Sequence, residues 1–357
     1  MELLFSNIPP VRTQFKKFSE CFYEQLHLYK GADISVGYIT AESLTELKNL
    51  VEQNNYIHRM NLTIGMHYFE KFTALEYNAA VGLNDFLTSN HIGQVKVVTT
   101  FMYHGKLYSF LDDSNVAKSA IIGSNNLSSI VESGRRIYES SILLNDDPIV
   151  GEVNQFITQL SEQSASVISD LEITDFKQAN PLLENHEHVR RVLEPDLEEY
   201  KNQLTEVSFE IPLKSYELAP KSNLNAYFGT GRRTQNGLIM PRHWYEVELI
   251  VPSEIALRPN YPVSRTDSAE FEVITDDGWS FSCKVSGNNS KNFRSKDDLR
   301  ILGKWIKGRL ENAGVLQVGQ PVLQSTLDNY GRTSFTLTKI RNSNKWYIDF
   351  GVRNETR

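Results

Sequence analysis

Cysteine is the scarcest chemistry-bearing residue in the chain: there are two, Cys21 and Cys283, far apart in sequence. Two distant thiols make neither a zinc cluster nor a disulfide framework, and they read as buried or half-buried side chains in a reducing cytoplasm. No run of about 18 apolar residues occurs, which argues against a membrane span. The opening stretch MELLFSNIPPVRTQF has no small-residue cleavage site, so no secretory signal is expected. A Gly-rich Walker sequence ending in Lys-Ser or Lys-Thr is also missing, so the chain is not itself an ATPase. Basic charge is short overall, with a net charge of -7, and it is unevenly spread. Residues 1–194 carry 15 Lys and Arg against 24 Asp and Glu, whereas residues 195–357 carry 22 against 20. Eight basic residues fall between Lys284 and Arg309 against Asp297 and Asp298. An acidic chain with one basic strip offers a local place for a polyanion rather than a general affinity for one.

What is present is enough for two cores. The 357 residues, 40 % of them hydrophobic, suggest roughly two domains. In the first half strand and helix signals alternate. Strands are expected at 32–39, 61–68, 95–99, 106–111, 120–122 and 137–144, and helices follow at 43–51, 71–87 and 148–161. Ser43 and Glu46 resemble a capping box for the first of these helices. The pattern predicts an α/β layer on a mixed sheet. From about 164 to 200 the chain is acidic and weakly periodic and reads as a linker, with His186 and His188 solvated on either side of Glu187. The second half carries short strands at 207–212, 243–250, 269–275, 280–285 and 334–340, interrupted by one helix at 296–312, which predicts a mainly-β barrel or sandwich. Trp279 and Trp305 are expected in its core.

The chemistry concentrates between residues 103 and 141. His104 and Lys106 are two apart, so on a strand they project from one face and set an imidazole beside an ammonium. Gly123-Ser124 ends an apolar strand, Asn126 adds neutral donors, and Glu139 lies on a later strand. Phosphoryl transfer uses such parts: a nucleophile, fixed donors on the non-bridging oxygens, and a carboxylate that orients the nucleophile's ring. His104 attacks only when the attacking nitrogen is unprotonated, and an acceptor such as Glu139 on the other nitrogen would select that tautomer. Each positioned donor is typically worth about 3 to 4 kcal/mol in the transition state, enough together to replace a metal's charge.

His104-Gly105-Lys106 followed by Gly123-Ser124-Asn125-Asn126 resembles the His-x-Lys and Gly-Ser-x-Asn signature of the phospholipase D superfamily. The resemblance implies a covalent phosphohistidine intermediate, no metal or other cofactor, and His104, Lys106, Ser124, Asn126 and Glu139 as site residues. It departs from the longer family pattern in one place. The Asp five residues after the Lys is here Leu111, with Asp112 and Asp113 just beyond, which favours nuclease members over lipases. Only one motif copy is present, so the resemblance implies a homodimer through the N-terminal domain, with His104 of each subunit at one shared site.

The second half indicates the substrate. Loops 226–237 and 286–296 are punctuated by Gly and Asn, and they carry Arg232, Arg233, Gln235 and Asn236 in one, Lys291, Asn292, Arg294 and Lys296 in the other. Arg, Asn and Gln read base edges, while Lys and Ser hold phosphates. These eight are the candidate DNA contacts. The stretch from Leu302 to Arg332 is similar to the B3-like DNA-recognition domains of restriction enzymes, which implies a pseudobarrel whose two arms enter the major groove with Arg232, Arg233, Lys291, Asn292 and Arg294 as contacts. A phospholipase-D-like domain over 1–175, a linker over 176–200 and a B3-like domain over 201–357 resemble the NgoFVII-type and BfiI-type restriction endonucleases, most of all the former. That implies a sequence-specific, metal-independent endonuclease acting on double-stranded DNA in the cytoplasm. It also implies a cognate DNA methyltransferase and a separate helicase-like ATPase subunit through which ATP would act. Two other classes remain open. A non-specific phosphodiesterase or phospholipase would turn over a phosphatidyl substrate. A DNA-binding regulator would carry an inactive catalytic-like domain.

Overall fold

The computed structural model describes all residues except 9, 132–136, 263–267 and 353–357. It forms two compact units, Met1–Ala179 with Gly231–Pro241, and Asn180–Thr230 with Arg242–Arg357.

The first unit runs β1 (Glu2–Phe5), α1 (Phe18–Tyr29), β2 (Gly31–Val36), α2 (Ala41–Gln53), β3 (Arg59–Ile64), the single turn α3 (His67–Glu70), α4 (Ala74–Ser89), β4 (Val95–Val98), β5 (Lys106–Leu111), β6 (Ala117–Gly123), β7 (Ser140–Leu144), α5 (Asp147–Gln163) and β8 (Ala165–Val167). Its sheet has the order β1-β7-β6-β5-β2-β3-β4-β8. β2 pairs in parallel with β3 and antiparallel with β5, so the sheet is mixed. Every residue of β2 is buried, as a central strand covered on both faces demands. On one face Phe22 and Leu26 of α1, Leu44 and Leu47 of α2, and Leu83 of α4 pack on Ile34, Leu62 and Tyr108. On the other, Val150, Val153 and Ile157 of α5 pack on Ala120 and Leu144. Each fully buried side chain of this kind contributes about 1.5 to 3 kcal/mol.

Two local expectations shift. The helix expected from Ser43 is α2, capped by Thr40, whose Oγ1 accepts from the Ser43 N–H at 3.1 Å while the Ser43 hydroxyl accepts from the Thr40 N–H at 3.0 Å; Ser43 is therefore the third helical residue and not the cap. The strand expected to reach Ile39 ends at Val36, and Gly37–Ile39 leave the ladder.

The second unit contains β9 (Arg190–Arg191), α6 (Glu194–Asn202) and β10 (Leu204–Pro212). The chain then returns to the first unit as the hairpin β11 (Arg232–Arg233) and β12 (Ile239–Met240). Afterwards come β13 (Leu249–Ile250), α7 (Ser253–Ala256), β14 (Ser268–Thr275), β15 (Trp279–Ser286), β16 (Asn292–Ser295), α8 (Arg300–Asn312), α9 (Gln324–Tyr330), β17 (Ser334–Ile340) and β18 (Lys345–Asp349). Its main sheet runs β10-β17-β18-β14-β15-β16-β13, with β9 on β15. The sheet curls as a half-barrel around a core that includes Trp279, Trp305, Phe293 and Phe335.

The stretch read as a linker is largely built into this unit. Leu183 is in its core and β9 pairs with β15. His186, expected in solvent, is 5 % exposed, with Nε2 3.8 Å from the Asp298 carboxylate. Burial lowers its affinity for a proton below the ordinary value. The basic strip is also less available than its sequence suggests. Lys304 and Lys307 lie buried on α8, with Lys307 over the Trp244 ring at 3.8 Å, and Arg309 binds Asp276. An amphipathic helix turned inward has used these charges for packing. Both cysteines are buried and unpaired, and burial pushes the Cys21 thiol up to about 12.

Candidate active site

The site forms where β2 and β3 end and β5 begins. A Cβ on Gly37, just past β2, would stand 3.2 Å from the His104 Cα, and one on Gly65, just past β3, would collide with the Tyr103 carbonyl. Glycine at both places lets the segment leading into β5 settle on the strand ends. The Tyr103 N–H donates to the Gly65 carbonyl at 3.3 Å, and the Tyr103 hydroxyl bonds Ser35 at 2.9 Å. His104 is thus delivered on anchored backbone with its own side chain exposed.

Lys106 is buried at the first position of β5. Its Nζ lies 3.1 Å from His104 Nδ1, 3.2 Å from Nε2 and 2.6 Å from the His104 carbonyl. Burial lowers the ammonium below its ordinary value, and the charge of Glu139 opposes that shift. The ammonium stands within reach of both ring nitrogens and can donate to whichever of them is unprotonated. Among the described residues no hydrogen bond joins Glu139 to His104, so the tautomer-selecting bond expected there is not made; the Glu139 backbone is pinned by Ser6, which donates to the carbonyl through its own N–H at 3.1 Å and accepts from the Glu139 N–H at 2.7 Å.

The adjacent strands supply the remaining residues. Leu107 pairs with Ile122 and Gly123 with Ser141, which brings Lys106, Gly123-Ser124 and Glu139-Ser140 to one end of three neighbouring strands. Ser124 is exposed, and its hydroxyl accepts from the Ser140 N–H at 3.0 Å and lies 3.3 Å from the Ser140 carbonyl, so it locks the strand pair. Asn126 accepts the Tyr38 N–H on Oδ1 at 3.0 Å. A backbone N–H can only donate, which assigns the amide orientation and leaves the Nδ2 donors on the other side. Asn125 is a buried strut, with its Oδ1 2.5 Å from the Ser141 hydroxyl. Sequence reasoning missed Tyr38, whose ring stands edge-on to His104 at 5.4 Å, and His67 behind it. The available signal was Gly37 and Gly65, each just after a parallel strand. Among the described residues no three of His, Cys, Asp and Glu stand together as metal ligands, and no helix is long and apolar enough to cross a membrane.

The DNA-contact candidates fall in different units. Arg232, Arg233, Gln235 and Asn236 are exposed on the β11–β12 hairpin of the first unit. Leu238 is buried in that unit's core, and Asn54 holds Ile239 like a strand neighbour, with bonds of 2.8 and 2.9 Å to its carbonyl and N–H. Lys291, Asn292, Arg294 and Lys296 lie in the second unit. There Arg294 pairs with Glu248 at 3.3 Å and Lys296 with Glu270 at 2.7 Å.

Comparison with known families gives two matches. Residues 17–173 match the NgoFVII restriction endonuclease N-terminal PLD domain. Residues 199–341 match the NgoFVII C-terminal B3-like DNA-binding domain. No curated protein matches the chain.

Proposed function

Because the chain belongs to the NgoFVII-type restriction endonucleases, with their nuclease and DNA-binding domains in order, we propose that it cuts double-stranded DNA through His104 without a metal ion. The observation that carries this reading is the contact of Lys106 with both ring nitrogens of His104. It sets a cation beside the ring, where phosphate charge would gather.

In the proposed reaction an unprotonated nitrogen of His104 attacks phosphorus and the P–O bond to the leaving oxygen breaks. His104 of the partner subunit gives that oxygen its proton. Water, losing a proton to the same partner group, then attacks the phosphohistidine and breaks the P–N bond. Lys106 and the Asn126 amide hold the non-bridging oxygens, Ser124 keeps the strand end in register, and the Glu139 carboxylate balances the lysine. This scheme needs two chains. Exposed Tyr68, Phe69, Phe101, Met102, Ile137 and Tyr138 lie on the segments that carry the site, and this apolar surface supports the dimeric reading because a two-fold partner would cover it. Sequence choice comes from the B3-like domain and the two polar loops. A cognate methyltransferase and a separate helicase-like ATPase, through which ATP acts, complete the proposed system.

The intermediate is the test. Rapidly quenched end-labelled duplex should leave a protein–DNA adduct that survives denaturing gels, is acid-labile, and is absent with His104→Ala. Cleavage with no adduct at any quench time would replace the covalent route by direct attack of water, and an active, stable monomer would remove the shared site.

A further inference from the structure

Behind the catalytic strand lies a second histidine that the proposed reaction does not use. His67 is 1 % exposed and stacks on the Phe72 ring with centroids 4.7 Å apart. Its Nε2 accepts the Ile39 N–H at 3.2 Å, which requires that nitrogen to be unprotonated. Nδ1 carries the proton and lies 3.8 Å from the Glu76 carboxylate. Glu76 is itself fixed by the Thr73 N–H, which donates to it at 2.9 Å. Burial, aided by the charge of Lys177, brings the imidazole down to about 4, so it remains a neutral acceptor around pH 7.

The preceding amide of the chain, that of Tyr38, enters the site. While Ile39 N–H binds His67, Tyr38 N–H binds Asn126 Oδ1 at 3.0 Å. The Tyr38 ring meets His67 edge-on at 5.8 Å and His104 edge-on at 5.4 Å, and its hydroxyl donates to Glu70 at 2.8 Å. Two consecutive backbone donors thus tie a buried acceptor to a catalytic amide.

We propose that His67 is a positioning residue, which fixes the Tyr38–Ile39 backbone and through it the carboxamide of Asn126 and the wall beside His104. The inference rests on the reading of His104 and Asn126 as a phosphodiesterase site. Without the acceptor, a buried N–H loses its partner and the turn shifts. Asn126 is then released to present its oxygen to the phosphate, where an acceptor repels.

The experiment uses the full chain. His67→Phe keeps the stack on Phe72 and removes the acceptor, whereas His67→Gln offers a carbonyl oxygen near the Nε2 position. Single-turnover cleavage, duplex affinity and inorganic phosphate affinity are measured for each. His67→Phe should slow cleavage about 100-fold with duplex Kd unchanged, the scale expected when a reacting group is displaced by about 1 Å. It should also weaken phosphate binding, and His67→Gln should recover most of both. In an Asn126→Ala background His67→Phe should add little, because the two residues act as one unit. If the Phe variant does not fold, His67→Met fills the space without an accepting nitrogen and carries the same test. Unchanged cleavage by His67→Phe, an equal loss in the Asn126→Ala background, or a Gln variant no better than Phe would overturn the proposal alone. A parent that neither cleaves nor binds phosphate would sink the reading of the site, and this inference with it.

Discussion

The Lys106 ammonium stands 3.1 and 3.2 Å from the two ring nitrogens of His104 and 2.6 Å from that residue's carbonyl. One side chain thereby holds the histidine's backbone and lies against its ring, from a position already shielded from water. A cation so held is poised for charge that develops on a phosphate and needs no reorganisation to meet it.

Removing it should therefore act on chemistry and spare recognition. Lys106→Ala is expected to lower single-turnover cleavage by about 100- to 1000-fold, the cost of one positioned donor. Its affinity for specific duplex should match the parent. Equal losses in affinity and rate would make the lysine a binding residue only.

The two polar loops should differ from the catalytic residues in the opposite sense. Arg232→Ala or Arg294→Ala should cost about 1 to 3 kcal/mol of discrimination if the arginine reads a base, and should weaken all sequences alike if it holds a phosphate. Arg294 also faces Glu248 at 3.3 Å, a half-exposed pair worth little by itself. Competition binding with cognate and scrambled duplexes distinguishes the two. Parent and variants that bind every duplex equally would end the recognition claim for that loop.

The fold's main features were readable because they are local. The alternation of strands and helices, the His104-x-Lys106 spacing and the Gly123-Ser124 strand end all follow from short-period patterns, and the structure brings their residues to one sheet end. The misreadings concern residues whose roles depend on distant partners. His67 and Tyr38 look ordinary until β2 and β3 are paired. His186 seemed solvated because neighbouring Glu residues masked Leu183, which enters the core three positions earlier. Arg232 and Arg233 lie within the stretch that matches the B3-like domain, while their hairpin packs with the first compact unit. Their hairpin's anchor, Asn54, is 185 residues from Ile239 and has no sequence signal.

The buried imidazole of His67 makes stability depend on pH. Its proton affinity in the folded chain is lowered from 6.5 to about 4, so between those values the unfolded chain binds the proton and the native one does not. Stability therefore rises with pH across that window, is complete above about 6.5, and is lost as pH falls toward 4. The full effect is on the order of 3 kcal/mol. Denaturant unfolding of the parent and His67→Gln at pH 7 and pH 4.5 should show the parent losing more on acidification. An identical loss in both would assign the acid sensitivity to other groups.

The most direct measurement is cleavage of plasmid DNA in excess EDTA, with no ATP, by the parent and by His104→Ala. A dissociable divalent ion is then unavailable to either protein. The account predicts discrete fragments from the parent and none from His104→Ala. Cleavage that appears only when magnesium is restored, with His104→Ala as active as the parent, would contradict it.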